Sequence, residues 1–229
     1  MYLQPCQASR LRKAIETWYI RQQQRATLTA SHLPSEKKKQ MYLLTFLINV
    51  DINTRGWKVT WDSIKKNAQT FRGRPGLAYN KCTRTGCSME HPAPKKTVEA
   101  NLRVQEPYSV TTMLEIVFDE TSHTAYVIHR VDDPEFAERI RRGEIKYLSP
   151  GVFRTNMSMS EVRSGLTPQG DMGIWVETED WEGLHAAFVT KPAYGEQASI
   201  IDTCEGAGEY CMRRLRNIFS NKYALPRAA

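Results

Sequence analysis

The chain has only five cysteines and five histidines among its 229 residues, and its longest apolar run, residues 41 to 50, is broken at Thr45 and Asn49. That run is well short of the ~20 residues a helix needs to cross a bilayer, so no membrane-spanning helix is expected. Arg10, Arg12 and Lys13 interrupt the first periodic segment, where a secretory leader would carry an unbroken apolar stretch. An intracellular product is therefore expected. An odd cysteine count in such a protein argues against a disulfide framework and for reduced thiols. No glycine-rich phosphate loop, Gly-x-Ser-x-Gly elbow or cysteine-protease signature occurs.

What is present is an ordinary globular composition, 41% apolar and 25% charged, which excludes disorder as the main state. The net charge of +7 suits an acidic partner but says nothing about fold. Much of that excess lies in residues 1 to 40, where Leu11, Ile15, Trp18 and Tyr19 recur at helical spacing among basic residues. We read residues 9 to 25 as an amphipathic helix and residues 31 to 40, with Pro34 and a lysine run, as a linker.

A core domain is expected over residues 41 to 201, followed by a C-terminal helix and tail over 202 to 229. Residues 41 to 51 read as its first strand, and residues 53 to 56 as a turn before a short strand at 57 to 59. Ile64, Ala68 and Phe71 share a helical face, with Thr60 as cap and Gly73 as stop. Residues 74 to 96, with three prolines and little apolar pattern, read as a long surface segment. Two strands, 110 to 118 and 124 to 131, form a hairpin, and Asp132, Asp133 and Pro134 open a helix that Gly143 ends. Strands follow at 145 to 149, with an extension through 153, at 173 to 177 and at 184 to 189, and a helix at 211 to 224. The fold class is α+β and β-rich, with helices flanking a sheet.

Neutral imidazole is the usual proton shuttle near pH 7, so each histidine matters. His32 falls in the linker and His123 in a turn, both solvated positions, and His129 reads as a half-buried sheet residue. His91 falls in the long loop. His185 lies inside an apolar strand, where an ionisable group is costly without a partner; its bland reading is a core histidine bonded to backbone. Residues 146 to 152, KYLSPGV, place Ser149 at a strand end before Pro150 and Gly151, which alone reads as a turn former. Cys82, Cys87 and His91 are three zinc-type ligands, and a fourth would have to come from Cys204 or Cys211.

Read in order, three segments carry a resemblance. LTFLINVDINTRGWKVTWDSIKKNAQTFRGRP (residues 44 to 75), VDDPEFAERIRRGEIKYLSPGV (131 to 152) and WEGLHAAFVTKPAYGEQASI (181 to 200) resemble the tailed-phage prohead (capsid maturation) proteases. In that family a strand, turn and helix precede a histidine-bearing loop, a helix then leads into the strand with the nucleophilic serine, and a closing strand ends in a Pro-Ala turn. The resemblance spans roughly residues 41 to 201.

It implies an assemblin-like β-barrel with flanking helices and a serine endopeptidase that processes scaffold and major capsid precursors inside an assembling prohead in the host cytoplasm. It implies Ser149 as nucleophile, His91 as general base and His185 as orienting third member, separated by 58 (149 minus 91) and 36 (185 minus 149) residues. Pro150 has no N–H, so the amides of Ser149 and Gly151, or the side chain of Arg154, become the oxyanion candidates. An imidazole orients a base less strongly than a carboxylate does, which suits a slow enzyme. No cofactor is expected, and neither a membrane nor nucleic acid is an expected partner. Two other readings compete: a catalytically inactive protease-like capsid or scaffold component, and a zinc-stabilised basic module that binds nucleic acid.

Overall fold

A computed structural model describes residues 39–83, 86–91, 108–154, 160–166 and 171–219. The expected amphipathic helix and nearly all of the linker after it lie outside the described residues. The first strand, β1 (Gln40–Asn49), is buried along almost its entire length. That burial explains its continuous apolar run: one face of β1 meets the main core through Leu43 and Leu47, and the other meets a second cluster through Tyr42 and Leu44.

After β2 (Trp57–Lys58), Thr60 caps α1 (Trp61–Asn67), its hydroxyl accepting from the Ser63 amide, and a 3-10 turn, Ala68–Phe71, continues the helix. Gly73 stands at φ 77°, the left-handed stop the pattern requires. The long surface segment expected next is instead largely strand. β3 (Pro75–Ala78) is buried at every residue, and β4 (Asn80–Thr83) and β5 (Gly86–Met89) pair antiparallel with each other. Four residues, two of them Pro and Gly, have too little pattern to announce a strand, and β3 exists because two later strands pair with it from both sides.

The hairpin β6 (Tyr108–Asp119) and β7 (Thr124–Val131) forms as expected, and Asp133 caps α2 (Pro134–Arg141) by accepting from the Phe136 amide. Then come β8 (Tyr147–Arg154), β9 (Ser160–Leu166), β10 (Met172–Thr178), β11 (Trp181–Val189), β12 (Ile200–Gly206) and α3 (Gly208–Arg216). Neither β9 nor β12 shows in the sequence pattern. β12 also crosses the expected boundary at residues 201 and 202, because it pairs with β1.

The main sheet has seven strands in the order β12-β1-β7-β6-β3-β11-β8 and curls into a half-barrel. Its curl brings the far edge strand β8 back to the segment leading into β12, where Tyr147 bridges Ser199 and the Leu148 amide donates to the Ala198 carbonyl. A smaller sheet, β2-β10-β9, stands beside it. The architecture is therefore α+β and strand-rich. No helix among the described residues is long and apolar enough to cross a membrane.

The thiols depart from expectation. Cys204 on β12 and Cys211 on α3 form a disulfide that ties the helix over the outer cluster of Tyr42, Leu44, Ile128 and Leu215. With those two sulfurs bonded to each other, neither supplies the fourth ligand a zinc site at Cys82, Cys87 and His91 needs. No group of metal-ligating side chains gathers among the described residues.

Candidate active site

Three chain segments that the sequence keeps far apart meet at the β8 end of the main sheet. β8 is the edge strand there, so Pro150, which has no ladder donor to offer, sits within it without breaking the sheet. Ser149 is therefore held inside a strand opposite Ala187, where a turn was expected. It is 2% exposed.

Two residues further along β8, Gly151 pairs with His185 of β11. The register shifts between Gly183 and His185, an irregularity of the kind that re-aims a side chain. A β-carbon at position 151 would lie 2.5 Å from Cε1 and Nε2 of His185, so the imidazole occupies space that only glycine leaves open.

His91 reaches the same place from the other side of the chain. The Met89 amide donates to the Thr190 hydroxyl and the Thr190 amide to the Met89 carbonyl, while the Glu90 amide donates to the Tyr79 carbonyl. These bonds lash the end of β5 to the residue after β11. The outcome is a contact of 3.4 Å between His91 Nδ1 and His185 Nε2, with ring centroids 5.7 Å apart.

Ser149 and His91 line one cavity of about 410 Å³, together with Pro150, Gly151, Val176 and the turn from Asn53 to Trp57. The structure thus brings His91 and His185 into contact and sets Ser149 in the wall of the cavity that His91 lines. Among the described residues no hydrogen bond joins the Ser149 hydroxyl to His91. The side chain of Arg154 lies outside the described residues.

The electrostatics favour uncharged rings. Burial, then the neighbouring His185, then the charge of Arg55 hold His91 down to about 3. Burial alone holds His185 down to about 4. Its Nδ1 is buried without a hydrogen-bond partner among the described residues, so a positive charge on this ring would be poorly compensated.

The residue missed from sequence is Arg55. Asn53 Oδ1 accepts from the amides of Arg55 and Trp57, the Thr54 amide donates to the Ala193 carbonyl, and the Gly56 carbonyl accepts from the Val176 amide. A built turn therefore holds the exposed Arg55 in the lining of a cavity that carries no carboxylate. The only hint in the sequence was the Asn-Thr-Arg-Gly turn pattern at residues 53 to 56.

His129 and His123 stand outside the site. His129, expected half-buried, is fully buried between the hydroxyls of Thr45 and Thr111 at 3.0 and 2.9 Å. His123 is exposed in its turn beside Trp61, and His32 lies outside the described residues. No protein-family model matches the chain, and no curated protein or solved structure matches it.

Proposed function

We propose that the protein is a serine endopeptidase of the prohead-maturation type, which cuts scaffold and major capsid precursors. The observation that carries this reading is the His91–His185 contact beside a cavity that His91 and Ser149 both line. A further support is the resemblance of three segments, which identifies the same three residues independently of the geometry.

The chemistry follows from the ring nitrogens. His91 Nδ1 is engaged with His185, which leaves Nε2 as the base. For His185 Nε2 to accept, His91 carries its proton on Nδ1 and His185 carries its own on Nδ1. Ser149 Oγ then attacks the peptide carbonyl carbon as His91 Nε2 takes the hydroxyl proton. The tetrahedral intermediate collapses when His91 returns that proton to the departing amine, leaving an acyl-serine. Water attacks the ester, again giving a proton to His91, and the second collapse returns it to Ser149 and frees a carboxylate.

The charge formed in each half-reaction rests on His91. His185 orients that ring as a dipole and does not store the proton, because its own Nδ1 has nowhere to share a charge. The developing oxyanion has no amide from Pro150. Arg55 supplies a cation on the same cavity, and the Gly151 amide is the backbone candidate.

The test is cleavage of the cognate precursor by Ser149→Ala. Loss of processing with an unchanged melting temperature is expected, since one hydroxyl is removed from a cavity wall. Undiminished cleavage by the folded variant would overturn the reading.

A further inference from the structure

The small sheet carries its apolar side chains outward. Val162 and Leu166 of β9 and Met172 and Ile174 of β10 are 70–75% exposed. The register sets Met172 opposite Leu166 and Val176 opposite Val162, and Ile174 opposite Ser164, so period-two alternation puts all of them on one face. The alternate positions carry the ion pair of Arg163 with Glu161 at 2.5 Å and the half-buried Trp175, whose ring packs against Gly165. Sheets ordinarily cover such an apolar face, and here the face of Val162, Leu166, Met172 and Ile174 is left in solvent.

This face does not stop at the edge of the small sheet. Val176 is its next member along β10, and Val176 lines the cavity that holds Ser149 and His91. The apolar face and the candidate active site are thus one continuous surface, joined where the turn carrying Arg55 is bonded to β10.

We infer that the outward face of β9 and β10 is a docking track for an extended polypeptide substrate, seating apolar side chains that alternate along the chain on one side of the scissile bond. The inference rests on the endopeptidase reading and adds the substrate class to it. An extended chain presents every second side chain to a surface, and the row Met172, Ile174 and Val176 on β10 repeats at that same spacing, with Val162 and Leu166 of β9 flanking it. Folded proteins rarely offer such a segment. The track therefore selects unfolded or extended stretches of precursor, and a short peptide that fills only the cavity gains nothing from it.

The experiment uses the full chain carrying Ser149→Ala, so that binding is read without cleavage. The probe is an end-labelled twelve-residue peptide in which valine or leucine alternates with serine, compared by fluorescence anisotropy with the same residues clustered at one end. Tighter binding of the alternating peptide is expected, by about ten-fold, with the advantage lost in Val162→Ser/Ile174→Ser. Equal binding of the two peptides, or no effect of the double substitution, overturns the track.

Two further outcomes also overturn it. A dimer that dissociates on the double substitution, seen by sedimentation, would assign the face to a second copy. Stronger probe binding after removal of residues 1 to 35 would assign it to the chain's own N-terminal segment. In the Ser149-intact protein, the double substitution should lower kcat/KM for a long precursor about ten-fold and leave that for a short peptide unchanged. Because peptide binding needs no catalysis, a failed track and a failed endopeptidase reading give different results.

Discussion

His185 and Gly151 are cross-strand partners whose side chains cannot both exist: a β-carbon on residue 151 would stand 2.5 Å from two atoms of the imidazole and 3.0 Å from a third. The catalytic proposal therefore depends on residue 151 having no side chain. Gly151→Ala should push the ring off its contact with His91 and cut kcat about 100-fold, since a misplaced orienting group costs that order. The melting temperature should move by only a few degrees. Unchanged turnover in a folded variant would show that the ring's position does not matter.

Acid inactivation should come late. A general base works only when neutral, and burial, His185 and Arg55 together hold His91 down to about 3, with burial holding His185 down to about 4. The kcat/KM profile should stay level as pH falls through 6.5 and decline only toward pH 4, with apparent values belonging to the pair. A half-point at pH 6.5 would mean the base is an exposed imidazole.

Arg55 joins these two ideas. Its charge is one cause of the lowered His91 value, and it lines the cavity in which the proposed oxyanion would form. Arg55→Ala should lower kcat by about 10- to 100-fold while raising the acid half-point, because one positive neighbour no longer opposes protonation. Arg55→Lys should restore the half-point more fully than the rate, since a point charge replaces the cation but not the planar fork. A rate loss with no pH shift would place Arg55 in substrate binding alone.

For His185 the informative comparison is alanine against glutamate. His185→Ala should reduce turnover roughly 100-fold or more and leave KM nearly unchanged, and His185→Glu should recover part of that loss by accepting from His91 Nδ1. A carboxylate there would also raise the acid half-point. Glutamate falling below alanine in both turnover and melting temperature would reduce His185 to a core residue.

His129 controls stability, not chemistry. Burial holds it down to about 3 in the folded chain against 6.5 when unfolded, so the unfolded state binds the proton first. Its contribution is fully present above pH 6.5 and is lost as pH falls toward 3. His129→Gln should lower the melting temperature at pH 7, because it disturbs the bonds with Thr45 and Thr111, yet flatten its decline between pH 6 and 4. An equally steep decline would mean that other groups drive acid unfolding.

Elements governed by their own neighbours along the chain were legible. Thr60 and Asp133 each cap a helix through an amide three residues on, and Gly73 and Gly143 take positive φ where the helical patterns stop. The hairpin of β6 and β7 needed only its alternation and the turn at Asp119 to His123. Ser149, His91 and His185 were marked out through a resemblance and not through local pattern, since a serine before Pro-Gly reads by itself as a turn.

What only the tertiary structure decided are the pairings between distant segments. β3 is four residues, Pro-Gly-Leu-Ala, whose partners lie on β6 and β11, so its strand character comes from their ladders and not from its composition. β12 is a strand because it pairs with β1, and Cys204 meets Cys211 because α3 folds back over that strand pair. His91 reaches His185 through the bonds between Met89 and Thr190, and Arg55 reaches the cavity because its turn is bonded to Ala193 and Val176. Helix caps and tight turns are set by interactions spanning a few residues, whereas strand partners and cavity walls depend on contacts whose sequence separation no local pattern encodes.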